Sequence, residues 1–327
     1  MMLGASMAWT LGVELLWVAL VPLVVAAVAM IVARRLDLRP RAAWAVSVGV
    51  GYIAGQVGLV SRAGGLAAAM NALAVPHEAR DWLPWAVALA AGATVWVVHA
   101  TAATRWVGHL LAIVVSLAAP ARLLGGSVYL MSRWSAGEKI VYLMLLAGAI
   151  GVVWWLLESC KDSEQPLVRG MLLIYTAVGT AVAVTLSGSF VYGELCGVVA
   201  AALTGTVLSA AALGATGFAS GWSRSALTDP VAHERAVPEN GLGGAAGVVT
   251  MSLGSLILLG YFYAELASAD ALLLAVALVA AGGWLPMPAW SGPGWRATVR
   301  AVLCVVPMAL AVAGAYAATL AETASPY

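Results

Sequence analysis

Long apolar runs separated by short polar segments extend along the whole chain. A run of about 20 predominantly apolar residues is long enough to cross the hydrocarbon core of a bilayer as a helix. We predict ten such helices, with bounds near 9–33, 43–61, 84–101, 106–124, 139–158, 167–187, 190–216, 242–264, 270–288 and 297–320. The pattern therefore predicts an all-α, polytopic integral membrane helix bundle that forms one domain over residues 1–327.

Composition supports a lipid-embedded chain. The sequence is 63% hydrophobic and 9% charged, with a mean hydropathy of +0.96, whereas soluble domains carry about 25% charged residues. In lipid, only helices and closed barrels satisfy their own backbone groups, and continuous rather than alternating apolar runs favour helices. A net charge of +1 argues against a nucleic-acid partner. We expect the lipid bilayer to be the main surroundings.

Basic residues predict the orientation of the bundle. The segment RRLDLRPR at 34–41 is the densest cluster of arginines between two apolar runs, and such clusters face the cytoplasm. Alternating the ten helices from there places both termini on the outer side. The first ten residues contain no Lys or Arg, so we expect no cleavable signal peptide. The Ala- and Gly-rich composition favours the cytoplasmic (inner) membrane of a bacterium.

Small residues recur at helical spacing in the seventh predicted helix. Stripes of this kind let membrane helices approach closely. Pairs of glycines four residues apart also occur in the second and eighth helices, so we expect these three helices to pack tightly together. The stripe consists of Gly193, Gly197, Ala201, Gly205 and Ser209.

Four polar residues are expected in the outer third of the membrane: Glu14, Gln56, Arg122 and Glu194. An ionisable group at that depth needs a partner or water and indicates a functional site by default. We hypothesise that Arg122 pairs with Glu194 or Glu14 and that the four residues line a substrate-binding pocket. The alternative is that Glu14 and Arg122 extend to the lipid headgroups.

The predicted outer loop over 61–85 contains the densest polar run of the chain. Its first half is compatible with a short interfacial helix from Leu66 to Leu73. In its second half, His77 lies close in sequence to the carboxylates Glu78 and Asp81. A histidine paired with a carboxylate is typical of acid–base catalysis. Alternatively, Glu78 and Asp81 cap the helix that follows.

Histidines and cysteines give no metal or haem signature. His99 and His109 flank a short turn without a metal-binding spacing, and the three cysteines form no CxxC motif. Cys160 and Cys196 are expected near opposite membrane faces, so we interpret the cysteines as small packing residues. We therefore expect neither a metal nor a cofactor.

Three functions remain open from the sequence. The first is a transporter-like protein with a polar site in the outer half, in which Glu194 is the key carboxylate. The second is a non-catalytic subunit or scaffold of a membrane complex. The third is a membrane-embedded enzyme that acts on a lipid or envelope precursor through His77. The substrate is unknown, and either a homo-oligomer or a partner membrane subunit fits the packing stripes.

Overall fold

A computed structural model describes residues 16–159, 166–215, 241–283 and 293–324. These ranges contain helices and short connections but no strand, which confirms the all-α membrane bundle. α1 is a π-helical turn, Leu16–Leu20, followed by Val21–Arg35. The next helices are α2 (Pro40–Ala74), α3 (Leu83–His99, after a 3-10 turn Ala79–Trp82), α4 (Arg105–Leu123), α5 (Ala136–Ser159), α6 (Pro166–Leu186) and α7 (Phe190–Ala215).

The eighth helix, α8, is irregular. It combines a 3-10 turn (Gly241–Ala245), an α-helical turn (Ala246–Val249), a π-helical turn (Thr250–Gly254) and an α-helix (Ser255–Tyr263). Two regular helices follow it: α9 (Ser268–Gly282) and α10 (Pro293–Ala324).

Nine of the described helices are long and apolar enough to cross a membrane. The exception is α9, which has 15 residues. It was expected to span 270–288, but it ends where Gly283 adopts a left-handed φ of 89°, a common way to terminate a helix. Residues 284–292, and the predicted inner loop from Gly217 to about Gly241, lie outside the described residues except at Gly241.

Hydrogen bonds between helix ends fix which ends share a face. Arg39 at the start of α2 donates to Val98 O near the end of α3, and Tyr263 at the end of α8 donates to Leu123 O at the end of α4. The face that holds the end of α1 and the start of α2 is called here the arginine-rich face. Its arginines in the described ranges are Arg34, Arg35, Arg39, Arg41, Arg105, Arg169, Arg296 and Arg300.

α1 packs against α2 and α7 at backbone distance. A side chain at Gly205 of α7 would collide with the Leu23 carbonyl of α1, and one at Gly197 would lie 3.0 Å from Val18. On α2, a side chain at Gly51 would lie 2.9 Å from the Pro22 carbonyl. α2, α7 and α8 are in mutual contact, as expected. The spacing of the stripe alone does not indicate that α1 is the helix that packs beside it.

The other members of the stripe have separate surroundings. Gly193 faces Thr185 of α6, and the Ser209 hydroxyl donates to Gly205 O of its own helix at 2.7 Å. Polar contacts reinforce the α1–α2–α7 core, because Ser47 donates to Ala26 O at 2.7 Å and lies 2.6 Å from the Thr206 hydroxyl.

Three arginines of the arginine-rich face bind the carbonyl ends of neighbouring helices. Besides Arg39, Arg169 of α6 donates to Leu157 O near the end of α5 at 2.6 Å. Arg300 of α10 donates to Gly283 O, just past α9, at 3.0 Å. The last carbonyls of a helix have no intrahelical donor and carry partial negative charge. These guanidinium groups therefore tie helices together at one membrane face.

Replacing Arg169 by alanine is expected to lower the free energy of unfolding by about 1–3 kcal/mol, because the buried Leu157 carbonyl loses its donor. The measurement is the thermal unfolding of the purified protein in detergent, followed by size-exclusion fluorescence. Arg105→Ala, at an exposed position on the same face, is the matched control and should unfold like the wild type. Equal melting temperatures for the wild type and both variants would show that the Arg169–Leu157 hydrogen bond does not stabilise the protein.

Candidate functional site

α2 extends past the predicted end of its span and bends at Gly65. The helix continues to Ala74, and Gly65 alone has non-helical angles, with φ 79° and ψ 168°. The helix expected from Leu66 to Leu73 is therefore confirmed, but as the bent end of α2. Trp85 of α3 donates to Leu73 O at 2.8 Å, which anchors the bent segment beside the start of α3.

The bent segment closes over a polar contact between α2 and the 3-10 turn. Gln56 is 3% exposed, and its amide donates to Arg80 O at 2.7 Å. Ala69, Ala72 and Asp81 surround the same point and leave a void of about 10 Å³. A water needs at least about 10–15 Å³. The surroundings of the Gln56–Arg80 contact are therefore closely packed, with room for at most about one water.

Asp81 caps the start of the 3-10 turn. Its Oδ2 accepts the backbone N–H of Glu78 at 3.0 Å and that of His77 at 3.2 Å, and Glu78 completes a capping box. The Glu78 carboxylate also lies 2.8 Å from Arg80 Nε. Both carboxylates considered for acid–base chemistry with His77 therefore make local structural contacts, and His77 is exposed.

Arg122 and Glu194 do not pair with each other in the described structure. The Arg122 guanidinium lies over the Trp82 ring, 4.8 Å from its centroid. Glu194 Oε1 lies 3.6 Å from Arg62 Nη1, where the two side chains are 15% and 36% exposed. The expected Arg122–Glu194 pair is thus replaced by an Arg62–Glu194 pair between α2 and α7. Glu14 lies outside the described residues.

Polar side chains also occur near the middle of the bundle, deeper than expected. Tyr52, Thr250 and Ser255 are fully buried, and their hydroxyls have no hydrogen-bond partner among the described residues. Thr250 and Ser255 lie at the two ends of the π-helical turn of α8. Tyr52 is about 18 Å along α2 from Pro40, near the centre of a bilayer core about 30 Å thick.

The histidines and cysteines are separated in the described structure. His109 lies in α4 opposite Glu158 of α5, and both line one groove. Within the described ranges no three His, Cys, Asp or Glu side chains are close enough to hold a metal ion. Cys196 and Cys304 are buried free thiols, and Cys160 lies outside the described residues.

The structure brings only part of the proposed site together. Gln56 and Arg122 both contact the 3-10 turn, whereas Glu194 lies with Arg62. Arg62 was not predicted as a site residue, because the loop was expected to begin at residue 61 and α2 instead continues to Ala74. Thr250 and Ser255 were not predicted either, because single hydroxyls in an apolar run are ordinary. The π-helical turn between them has no sequence signature.

No protein-family model, curated protein or solved structure matches the chain.

Replacing Glu194 by glutamine is expected to lower the free energy of unfolding by about 1–2 kcal/mol, because Arg62 loses a partly buried counter-charge. Thermal unfolding of the purified protein measures the change. Glu265→Gln, an exposed carboxylate on the connection after α8, is the control and should have no effect.

The charge-swapped double variant Arg62→Glu, Glu194→Arg distinguishes the contribution of the ion pair to stability from that of side-chain packing. It should recover a substantial part of the stability that Arg62→Glu alone removes. If the double variant is less stable than both single variants, the ion pair is not the stabilising contact.

Proposed function

We propose that the protein is a transporter-like permease whose polar site in the outer half continues to the middle of the membrane. The observation that carries this proposal is the π-helical turn Thr250–Gly254 with the buried hydroxyls of Thr250 and Ser255 at its ends, which no described residue hydrogen-bonds. Irregular backbone at membrane depth is tolerated where it is buried in protein or lines a cavity, and interrupted helices form the central sites of many transporters.

Other polar groups lie at suitable depths for such a pathway. Tyr52 and Gln56 are one helical turn apart on α2, so they face a similar direction. Tyr52 OH and Gln56 Oε1 both lack a hydrogen-bond partner among the described residues. Buried polar atoms are normally satisfied, and exceptions frequently mark positions that a ligand, ion or water occupies. Together these groups extend from mid-membrane to the Gln56–Arg80 contact.

The Arg62–Glu194 pair and the bent end of α2 fit the role of an outer closure. Both lie at the face opposite the arginine-rich one, and the segment after Gly65 covers Gln56. We propose that the arginine-rich face is cytoplasmic and that the membrane is the inner membrane of a bacterium. Leu16 and Ala324 then lie toward the outer side.

The two other functions receive less support. A non-catalytic subunit gives no reason for unbonded hydroxyls beside an irregular helix in the middle of the membrane. An enzyme that uses His77 needs a carboxylate partner, but Asp81 holds two backbone N–H groups and Glu78 lies against Arg80.

Reactivity of a mid-membrane cysteine tests the proposal without knowledge of the substrate. Thr250→Cys, in a background in which the three native cysteines are replaced by alanine, should react with a membrane-impermeant methanethiosulfonate added to right-side-out vesicles. A transporter opens a water-filled path in a minor conformation. We expect a rate of about 0.1–10% of that at an exposed site, the usual population of a minor state.

Two positions bracket this rate. Ser132→Cys, exposed on the connection before α5, sets the upper limit, and Ala277→Cys, fully buried in α9, sets the lower limit. A Thr250→Cys rate equal to that of Ala277→Cys, measured from both sides of the membrane, would contradict transport through this region.

A further inference from the structure

A separate groove lies between α4 and α5, outside the proposed polar pathway. Its volume is about 410 Å³, and its lining extends along α5 from Met144 to Glu158. At 1.5 Å per residue this stretch of α5 is about 21 Å long, which is about half of the ~40–45 Å thickness of a bilayer with its headgroups. The groove therefore has the length of one lipid molecule rather than of a small solute.

The groove is polar at one end and mostly apolar along its length. Glu158 and His109 line it at the arginine-rich face, whereas Ile113, Leu117 and Met144 line it farther into the membrane. Gly148 forms part of the floor, and a side chain there would have no atom of the described residues within 4 Å. This gradient matches an amphiphile with its head at the arginine-rich face and its chain toward the bilayer centre.

The head end contains a carboxylate that can accept further donors. Glu158 is half-buried and lies one helical turn from Trp154 on the same side of α5, where both line the groove. His109 and Arg41 act on it electrostatically, but no basic nitrogen of the described residues lies within ion-pair distance of it. Trp155 also lines the groove and is 63% exposed.

We propose that this groove binds a phospholipid whose headgroup carries a primary ammonium, taken from the leaflet at the arginine-rich face. The ammonium would bind the Glu158 carboxylate beside the Trp154 and Trp155 rings, since cations are attracted to carboxylates and indole faces. The lipid phosphate would lie at the same end of the groove as the ammonium. It would face the His109 imidazole and the Arg41 guanidinium. The acyl chain would follow α5 past Gly148.

Charge complementarity selects this headgroup over a purely anionic one. A phosphatidylglycerol head carries the same phosphate but no cation, so it would leave the Glu158 carboxylate uncompensated beside a negative group. The lipid site is independent of the proposed transport function, since it shares none of the residues of the polar pathway.

Native mass spectrometry tests the site with defined lipids. The purified protein is exchanged into micelles that contain equimolar phosphatidylethanolamine and phosphatidylglycerol with identical acyl chains, and the retained lipids are counted. We expect the wild type to prefer phosphatidylethanolamine by about fivefold, the size of one screened ion pair. Glu158→Gln should reduce the preference to about equal binding, because the amide carries no charge.

Two controls separate the site from general lipid retention. Glu138→Gln, at the other end of the same helix, removes a carboxylate that is already bonded to Ser135 and should keep the wild-type preference. Gly148→Leu should fill the groove and reduce the retention of both lipids, whereas Gly92→Leu on α3, also in open space, should not.

Three results would overturn the proposal. The first is equal retention of the two lipids, or a preference for phosphatidylglycerol, in the wild type. The second is an unchanged preference in Glu158→Gln. The third is equal lipid retention by the wild type and Gly148→Leu, which would mean that lipid does not occupy this groove.

Discussion

The close approach of α1 to the glycines of α2 and α7 is the contact on which the rest of the bundle depends. At Gly205 and Gly51 the backbone carbonyls of α1 lie where side chains would otherwise be. In a bilayer, helix association depends on packing rather than on the exclusion of water, so such contacts are a main source of attraction. The Ser47–Thr206 contact adds polar specificity to the same three helices. This core positions Arg62 and Glu194 at the end of the bundle opposite the arginine-rich face.

At the arginine-rich face, arginines donate hydrogen bonds to the carbonyl ends of helices, in addition to predicting the orientation of the bundle. Arg39, Arg169 and Arg300 each donate to the carbonyl end of another helix. These arginines thus satisfy backbone groups that lipid cannot satisfy, and Arg39 also belongs to the cluster at 34–41 that predicts the orientation. These hydrogen bonds connect the helices at the arginine-rich face. At the opposite face, the bent end of α2 covers Gln56. The least regular helix, α8, lies between the two faces, and the hydroxyls of Thr250 and Ser255 on it have no hydrogen-bond partner in the described ranges.

The general architecture was predictable because it depends on local periodicity. Span lengths and the spacing of Gly197 and Gly205 follow directly from the sequence. The partner of the stripe was not predictable, because α1 contributes backbone carbonyls that any residue carries. Glu194 was recognised as exceptional, but its partner Arg62 was assigned to a loop, since a single positive φ at Gly65 bends a helix without ending it. The unbonded state of Thr250 depends on tertiary packing alone.

Disulfide formation between α1 and α7 tests the central contact most directly. In a cysteine-free background, Val18→Cys and Gly197→Cys place two thiols close together, because a side chain at Gly197 would begin 3.0 Å from the Val18 side chain. The account predicts an intramolecular disulfide on mild oxidation, detected as two blocked thiols in the monomeric protein by intact mass. Val18→Cys with Gly148→Cys on α5, a position whose side chain would meet no other described residue within 4 Å, should keep both thiols free. Free thiols in the first pair, with the protein folded and oxidant in excess, would contradict the α1–α7 packing.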